Sequence, residues 1–399
     1  MNNIVFLHSS SELYGSGRSL LNLVKNLDKD KFNITVILPE DGPLVDKINR
    51  FDNVEVIINE LAVLRRKNLS LSGMSQYFIM LIKSIKFINN LIKEKNIDIV
   101  YTNTSVIFAG GISAKLCKVK SIWHIREIIK SKYERFIVSR IVNTFSDYII
   151  ANSKATAEAI SKNKDKVKVI YNAIDIEKNI DLEYNDGAYK EVAATVAGGY
   201  DKIKVGMAGR INRWKGQKLF VDMAKLVSQE NDNVEFLIAG NVYKGEDYIL
   251  DDLKEYILES GVKDKIGLLG QVDNMNSFYK NIDIFILPSI QPEPFGLVVI
   301  EAMNNKLPVV ATNHGGPVEI IDNNIDGFLV DYKDAKEMAQ VVNKLIKDKE
   351  LRSYIAANAE RKVCSKRVTS SLSRTPGGLK IFQWQAYVKV MSLSLFFVN

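Results

Sequence analysis

Glu293 and Glu301 flank a helix start in the run Leu287-Pro288-Ser289-Ile290-Gln291-Pro292-Glu293-Pro294-Phe295-Gly296-Leu297-Val298-Val299-Ile300-Glu301. The apolar residues before Pro288 read as a strand. The prolines turn the chain into a loop that places Glu293, and a helix begins near Phe295 and Gly296. The first N–H groups of such a helix lack partners within it, and its positive end favours anions. Glu301 falls inside the helix among apolar neighbours, where a carboxylate needs a partner. Sugar hydroxyls would serve, and so would a salt bridge within the same half of the chain. A glycosidase-type pair of carboxylates does not fit, because the two sit on a loop and the following helix with no sign of a barrel.

A second segment with chemical potential is Gly209-Arg210-Ile211-Asn212-Arg213-Trp214-Lys215-Gly216, between a strand-like run and an amphipathic helix-like one. Arg210 and Lys215 are fixed cations suited to a diphosphate. A solvated basic loop is the plainer alternative; the flanking glycines and the location favour binding. Gly15-Ser16-Gly17 follows the first strand-like run and precedes a helix, an arrangement that can cradle phosphate. It is not a full dinucleotide fingerprint, since Leu20 stands at the third glycine position, nor a Walker loop. By itself it reads more simply as a flexible turn. The three histidines all lie at the carboxyl ends of strand-like runs: His8 and His124 end theirs, and His314 follows 309–312. Polar residues collect at such ends anyway, but His124, in Trp123-His124-Ile125-Arg126-Glu127, suits a polar role near neutral pH. No metal-ligand cluster emerges: Asp28-Lys29-Asp30 reads as a turn, and the Cys and His residues lack ligand spacing. There is no Gly-x-Ser-x-Gly nucleophile elbow.

Positioning these groups requires alternating strands and helices. Strand-like runs occupy residues 4–8, 34–38, 54–58, 97–101, 120–123, 147–150 and 167–170, and again 203–208, 234–239, 266–269, 282–287 and 308–312. Helical periodicity appears at 19–27 and 75–92 in the first half, and at 217–228, 246–260, 296–305 and 335–348 in the second. Gly261 reads as a helix stop. The pattern predicts an α/β protein of two Rossmann-like parallel-sheet domains facing a cleft, whose ligands bind beyond the carboxyl ends of the strands. The expected bounds are an N-terminal domain at 1–178, a polar linker region at 179–200, a C-terminal domain at 201–360, and an atypical basic tail at 361–399. The tail is expected either to lack structure or to cross back to the N-terminal domain.

The 399 residues carry 54 Lys+Arg and 47 Asp+Glu, a net charge of +7. The distribution is uneven. Residues 1–175 are +9, residues 176–360 are −9, and residues 361–399 are +7 with no acid. Composition is that of a globular protein, which excludes disordered and collagenous classes. Two cysteines make no disulfide framework, so a reducing, cytoplasmic setting is expected. No apolar stretch is long and uncharged enough to span a membrane, and the N-terminus does not read as a signal peptide. The basic residues lack the interleaved aromatics of a recognised module, so nucleic acid is not an expected partner.

Taken together, these motifs resemble the retaining glycosyltransferase family 4, the group 1 glycosyltransferases of GT-B fold. Glu293 and Glu301 match its Glu-x7-Glu signature, and Arg210 and Lys215 its Arg/Lys pair. Gly15-Ser16-Gly17 sits at its N-terminal glycine loop, and His124 matches its active-site histidine. Segments 151–154, 169–175 and 315–319 look like further family segments. The resemblance covers roughly residues 1–360. It implies sugar transfer from a nucleotide-sugar, UDP-linked before GDP-linked, to a hydroxyl with anomeric retention. No cofactor and no metal would be required.

Carried over residue by residue, Glu301 would bind ribose hydroxyls and Glu293 the donor sugar. Phe295, Gly296 and Leu297 would offer backbone N–H groups, and Arg210 and Lys215 would hold the diphosphate. Gly15 and Gly17 would lie on the donor side, and His124 would contact the sugar near the reacting carbon. No enzymic nucleophile is nominated. The resemblance further implies an acceptor on the basic N-terminal side, expected to be lipid-linked or a glycan, with the protein peripheral at the inner face of the cell membrane. Residues 61–95 hold Arg65, Arg66, Lys67, Lys83, Lys86, Lys93 and Lys95 against Glu94, which suits an anionic surface. The alternatives are a non-catalytic scaffold of a membrane assembly and a sugar-nucleotide epimerase of the same fold; Glu293-Pro294-Phe295-Gly296 speaks against the epimerase. The tail departs from the family, whose members end in an amphipathic helix.

Overall fold

Uninterrupted apolar runs are what strands need when helices cover both faces of their sheet. Ile4, Val5, Phe6 and Leu7 form such a run and are fully buried. They belong to β1 (Asn2–Leu7), an inner strand of a seven-stranded parallel sheet. The computed structural model describes residues 1–65, 68, 70–129, 131–161, 165–172, 202–272 and 274–364. The expected linker region at 179–200, the tail from residue 365, and Arg66, Lys67 and residues 173–175 lie outside the described residues. The chain divides into two compact units.

The first unit holds β1, β2 (Phe32–Leu38), β3 (Val54–Ile58), β4 (Ile99–Thr102), β5 (Lys120–Ile125), β6 (Tyr148–Ala151) and β7 (Val167–Val169) in the order β3-β2-β1-β4-β5-β6-β7. Its helices are α1 (Gly15–Asn26), α2 (Pro43–Ile48), α3 (Leu71–Glu94), α4 (Ala109–Cys117), α5 (Lys132–Phe145) and α6 (Lys154–Ile160). The two-residue period of β1 divides its side chains. Ile4 and Phe6 pack with Leu20, Leu23 and Val24 of α1, whereas Val5 and Leu7 pack with Ile88, Leu91 and Ile92 of α3.

The second unit repeats the plan with six parallel strands: β8 (Ile203–Ala208), β9 (Val234–Ala239), β10 (Ile266–Gly270), β11 (Ile284–Leu287), β12 (Val309–Thr312) and β13 (Phe328–Val330), ordered β10-β9-β8-β11-β12-β13. Its helices are α7 (Gln217–Ser228), α8 (Asp247–Glu259), α9 (Met275–Lys280), α10 (Leu297–Asn304), α11 (Pro317–Ile320), α12 (Ala335–Lys347) and α13 (Lys349–Cys364). The two-domain parallel-sheet expectation is met. In each sheet the strand order reverses once, at β1/β4 and at β8/β11, and open α/β sheets bind ligands at the carboxyl side of that reversal.

Several elements went unanticipated. β13 is only three residues long, and α2, α9 and α11 are too short to show a helical period. The expected boundary at 360 falls inside α13, which continues to Cys364. Its buried residues are Ile355, Ala356, Ala359 and Val363, half of them alanine, and the helix packs on α10. Lys362 fastens its last turn through Asp322 (2.8 Å) and Asp326 (2.6 Å).

Candidate functional site

The β8/β11 reversal brings together two loops far apart in sequence. After β8, Asn212 Oδ1 accepts from the backbone N–H of Trp214 (3.1 Å) and Lys215 (2.9 Å), folding the loop on itself. Gly216 closes it at φ +79°, where a Cβ would lie 1.8 Å from the carbonyl oxygen of Pro288. Only glycine permits that approach. The backbone N–H of Ile290 then donates to Trp214 O at 2.9 Å, so the loops after β8 and β11 are joined. Lys215 Nζ thereby reaches Glu293 Oε2 at 2.6 Å, and Ser289 Oγ donates to the same oxygen at 3.2 Å. Both charged side chains are largely shielded, 19% and 15% exposed.

The Glu293 loop is held from its other side as well. Ser289 O accepts from Thr312 Oγ1 and from His314 Nε2, both at 2.7 Å. A carbonyl can only accept, so His314 carries its proton on Nε2 there. Its ring stacks on Tyr332, with centroids 4.7 Å apart. Gly316 N–H donates to Glu293 O at 2.7 Å. His314 is therefore built into the scaffold of the loop.

Phe295 is buried, and Gly296, at φ +95°, turns the chain into α10, whose first residue is Leu297. Glu301, one turn on, accepts from Tyr279 OH of α9 at 2.8 Å. The guanidinium of Arg210 lies over the Tyr243 ring, 5.4 Å from its centroid. Lys215 and Glu293 are thus brought into direct contact, while Glu301 and Arg210 each have an aromatic neighbour. Sequence reasoning missed Ser289, Tyr279, Tyr243 and Thr312, whose roles depend on strand adjacency. Asn212 was findable, because Asn two and three residues before Trp214 and Lys215 is the pattern of a side chain capping its own loop. An arrangement of lysine, carboxylate and helix start can hold an anion on one side and hydroxyl groups on the other.

The first unit has its own polar cluster at the ends of β1, β4 and β5. His124 lies inside β5, which runs two residues beyond Trp123; its ring is fully buried. Its Nδ1 is 2.6 Å from Tyr101 OH and 3.2 Å from Arg126 Nη2. Arg126, also buried, donates from Nε to Asn103 Oδ1 and from Nη1 to Asn172 Oδ1, both at 2.8 Å. Asn103 Nδ2 is 3.2 Å from His8 Nδ1. Burial, aided by the Arg126 charge, pushes His8 down to about 4 and holds His124 well below the ordinary histidine range, so both are neutral. Gly15 and Gly17 form the first turn of α1 rather than a separate turn before it; Gly15 is exposed, and Gly17 is buried against the Glu12 carbonyl.

Two parallel-sheet domains of this kind are the GT-B plan, which solved glycosyltransferases share. The sequence carries the same message. Residues 14–178 match the model of Glycosyltransferase Family 4, and residues 197–362 match that of Glycosyl transferases group 1. The chain belongs to the glycosyltransferases built from these two domains, and it is a transferase. An uncharacterized glycosyltransferase of Methanocaldococcus jannaschii is 33% identical over 226 residues, 55% of each chain. UDP-Gal:alpha-D-GlcNAc-diphosphoundecaprenol alpha-1,3-galactosyltransferase of Escherichia coli is 27% identical over 368 residues, covering 88% of this chain and 89% of its own. Among solved structures, Anabaena HepE in complex with UDP and glucose superimposes with a TM-score of 0.79 at 23% identity, covering 98% of this chain and all of its own.

Proposed function

We propose that the protein transfers a sugar from a nucleotide-sugar, UDP-linked before GDP-linked, with retention and without a required metal. The acceptor is a hydroxyl of a lipid-linked glycan in the making of a bacterial surface polysaccharide. The observation that carries this reading is the Lys215–Glu293 contact at 2.6 Å beside the start of α10. As the glycosidic bond breaks, the leaving diphosphate gains negative charge. Lys215, Arg210 and the N–H groups of Phe295, Gly296 and Leu297 stabilise that charge in place of a cation. Glu301, held by Tyr279, accepts from ribose hydroxyls, and Glu293 accepts from the transferred sugar. His124 contacts that sugar, and Gly15 and Gly17 lie on the donor side.

The names of relatives support the donor and acceptor classes. The Escherichia coli relative is named for UDP-Gal and a diphosphoundecaprenol acceptor, and others for capsular polysaccharide and lipopolysaccharide core synthesis. A neighbour of known structure holds UDP-glucose.

The acceptor side has support in the first unit. Phe78, Ile79 and Ile82 are exposed on one face of α3, and Tyr133, Phe136 and Ile137 on one face of α5. Exposed Lys83, Lys86, Lys132 and Arg140 accompany them. Apolar side chains among cations suit peripheral binding to an anionic bilayer. No helix among the described residues is long and apolar enough to cross a membrane.

The test is a thermal-shift series over UDP, GDP and their sugars in chelator. A ligand at 100 times its Kd stabilises by about 2.7 kcal/mol. A UDP response without metal supports the reading. No response to any nucleotide, with or without added divalent cation, defeats it.

A further inference from the structure

Arg126 is a buried cation with no ion partner among the described residues. Its side chain donates to Asn103 Oδ1, Asn172 Oδ1 and His124 Nδ1, all neutral acceptors. Two of its five N–H groups have no protein acceptor among the described residues. The adjacent acid does not compensate it: Glu127 turns its carboxylate to Thr104 Oγ1 (2.8 Å), Ser105 N–H (3.1 Å) and the backbone N–H of Arg126 (3.2 Å). A buried charge without a counter-ion is costly, and proteins bury charges paired.

Arg126 also sets its neighbours' protons. A guanidinium only donates, so Asn103 presents Oδ1 to it and turns Nδ2 toward His8. His8 Nδ1 must then accept, which leaves the His8 proton on Nε2. That nitrogen is buried and has no hydrogen-bond partner among the described residues. In the same way Arg126 Nη2 donates to His124 Nδ1, which places the His124 proton on Nε2. The cluster contains a cation, an orphaned N–H donor at His8, and no acidic group on Arg126. His8 and Asn103 follow β1 and β4, the strands at which the sheet order reverses.

We propose that this cluster is an oxyanion site of the first unit, in which Arg126 supplies the charge and His8 Nε2–H a hydrogen bond to a phosphoryl oxygen of a substrate. It is built from residues of the first unit alone. The ligand class is a phosphate or diphosphate ester. A nucleotide-sugar and a lipid-linked acceptor both carry a diphosphate, and that identification rests on the proposed reaction. The site itself rests on the uncompensated guanidinium and the unpartnered His8.

The chain has only three histidines, so long-range 1H–15N correlation spectra of the full-length protein resolve each ring. His8 and His124 are expected as neutral Nε2–H tautomers. Inorganic pyrophosphate should move the His8 resonances, and should still do so in Lys215→Ala. Arg126→Gln should weaken the affinity read at His8 by about tenfold to a hundredfold, and Arg126→Lys should restore part of it. If Arg126→Gln does not fold, the wild-type and Lys215→Ala titrations decide the matter.

His314, hydrogen-bonded to Ser289 O, reports on the second unit. Movement of His314 with an unmoved His8 overturns the oxyanion site and leaves the donor reading standing. Movement of His8 alone supports the site and counts against the donor reading. Parallel titrations with UDP and with a short isoprenyl diphosphate identify the source by which one moves His8 at the lower concentration. An Nδ1–H tautomer at His8, or His8 resonances indifferent to all three anions as expected of a ring satisfied by a buried water, overturns the proposal.

Discussion

At the scale of single residues, the Lys215–Glu293 contact joins two groups 78 positions apart. In the proposed reaction Lys215 supplies charge to the leaving diphosphate, so Lys215→Ala should lower kcat by about 10²–10³-fold with the fold intact. Steady-state kinetics beside a circular dichroism spectrum check this; an unchanged kcat would remove Lys215 from the chemistry. Tyr279 acts differently. Its hydroxyl donates to Glu301, and losing a hydrogen bond to a charged group costs about 1.5–3 kcal/mol. Tyr279→Phe should lower the stability of the second unit by that order and weaken nucleotide binding, measured by urea unfolding and calorimetric titration.

At the scale of elements, the loop after β8 depends on Gly216. Two glycines with nearly the same φ separate backbone strain from steric clash. Gly261, at φ +78°, has open space where a Cβ would point, whereas at Gly216 the Cβ would strike Pro288 O. Gly261→Ala should cost about 1–2 kcal/mol, the ordinary penalty of the left-handed region. Gly216→Ala should cost about 3 kcal/mol or more and depress activity as well, because it pushes the Lys215 loop from the β11 loop. Urea midpoints of the two variants compare them directly. Elements of this kind were partly legible in the sequence. The strand at 203–208 and the helix start near Gly296 could be read from apolar runs and breakers. The continuation of α13 to Cys364 could not, because an alanine-rich buried stripe has little hydrophobic contrast.

At the scale of the whole molecule, acid should act on the first unit through its buried histidines. His8 takes its proton near 6.5 when unfolded and near 4 when folded, so the unfolded chain binds more protons between these values. Stability present above pH 6.5 is therefore lost as pH falls towards 4. The loss from His8 is on the order of 3 kcal/mol, and His124, lowered by the same causes, adds to it in the same direction. Calorimetry from pH 7 to pH 4.5 should show the first unit's transition moving down; a transition insensitive to pH in that window would contradict it. The charge division has its own consequence. The first 175 residues are +9 and the next 185 are −9. Binding to anionic vesicles should weaken with salt and fall further in Phe136→Ser/Ile137→Ser, by co-sedimentation, whereas neutral vesicles should retain little protein.

The sequence by itself determined the α/β class, the two parallel-sheet halves, the carboxylates of the Glu293 loop and the cationic loop before Gly216. These are local matters of apolar run length, breakers and spacing, and each is written within a few consecutive residues. Tertiary structure decided which of those residues meet. Lys215 finds Glu293 only because β8 and β11 are neighbours in the sheet. Arg126, His8, Asn103 and Asn172 become one network only because β1, β4 and β5 lie side by side. Strand order is set by how the helices cover both faces, a property of the folded chain as a whole, and it turns separate polar residues into sites.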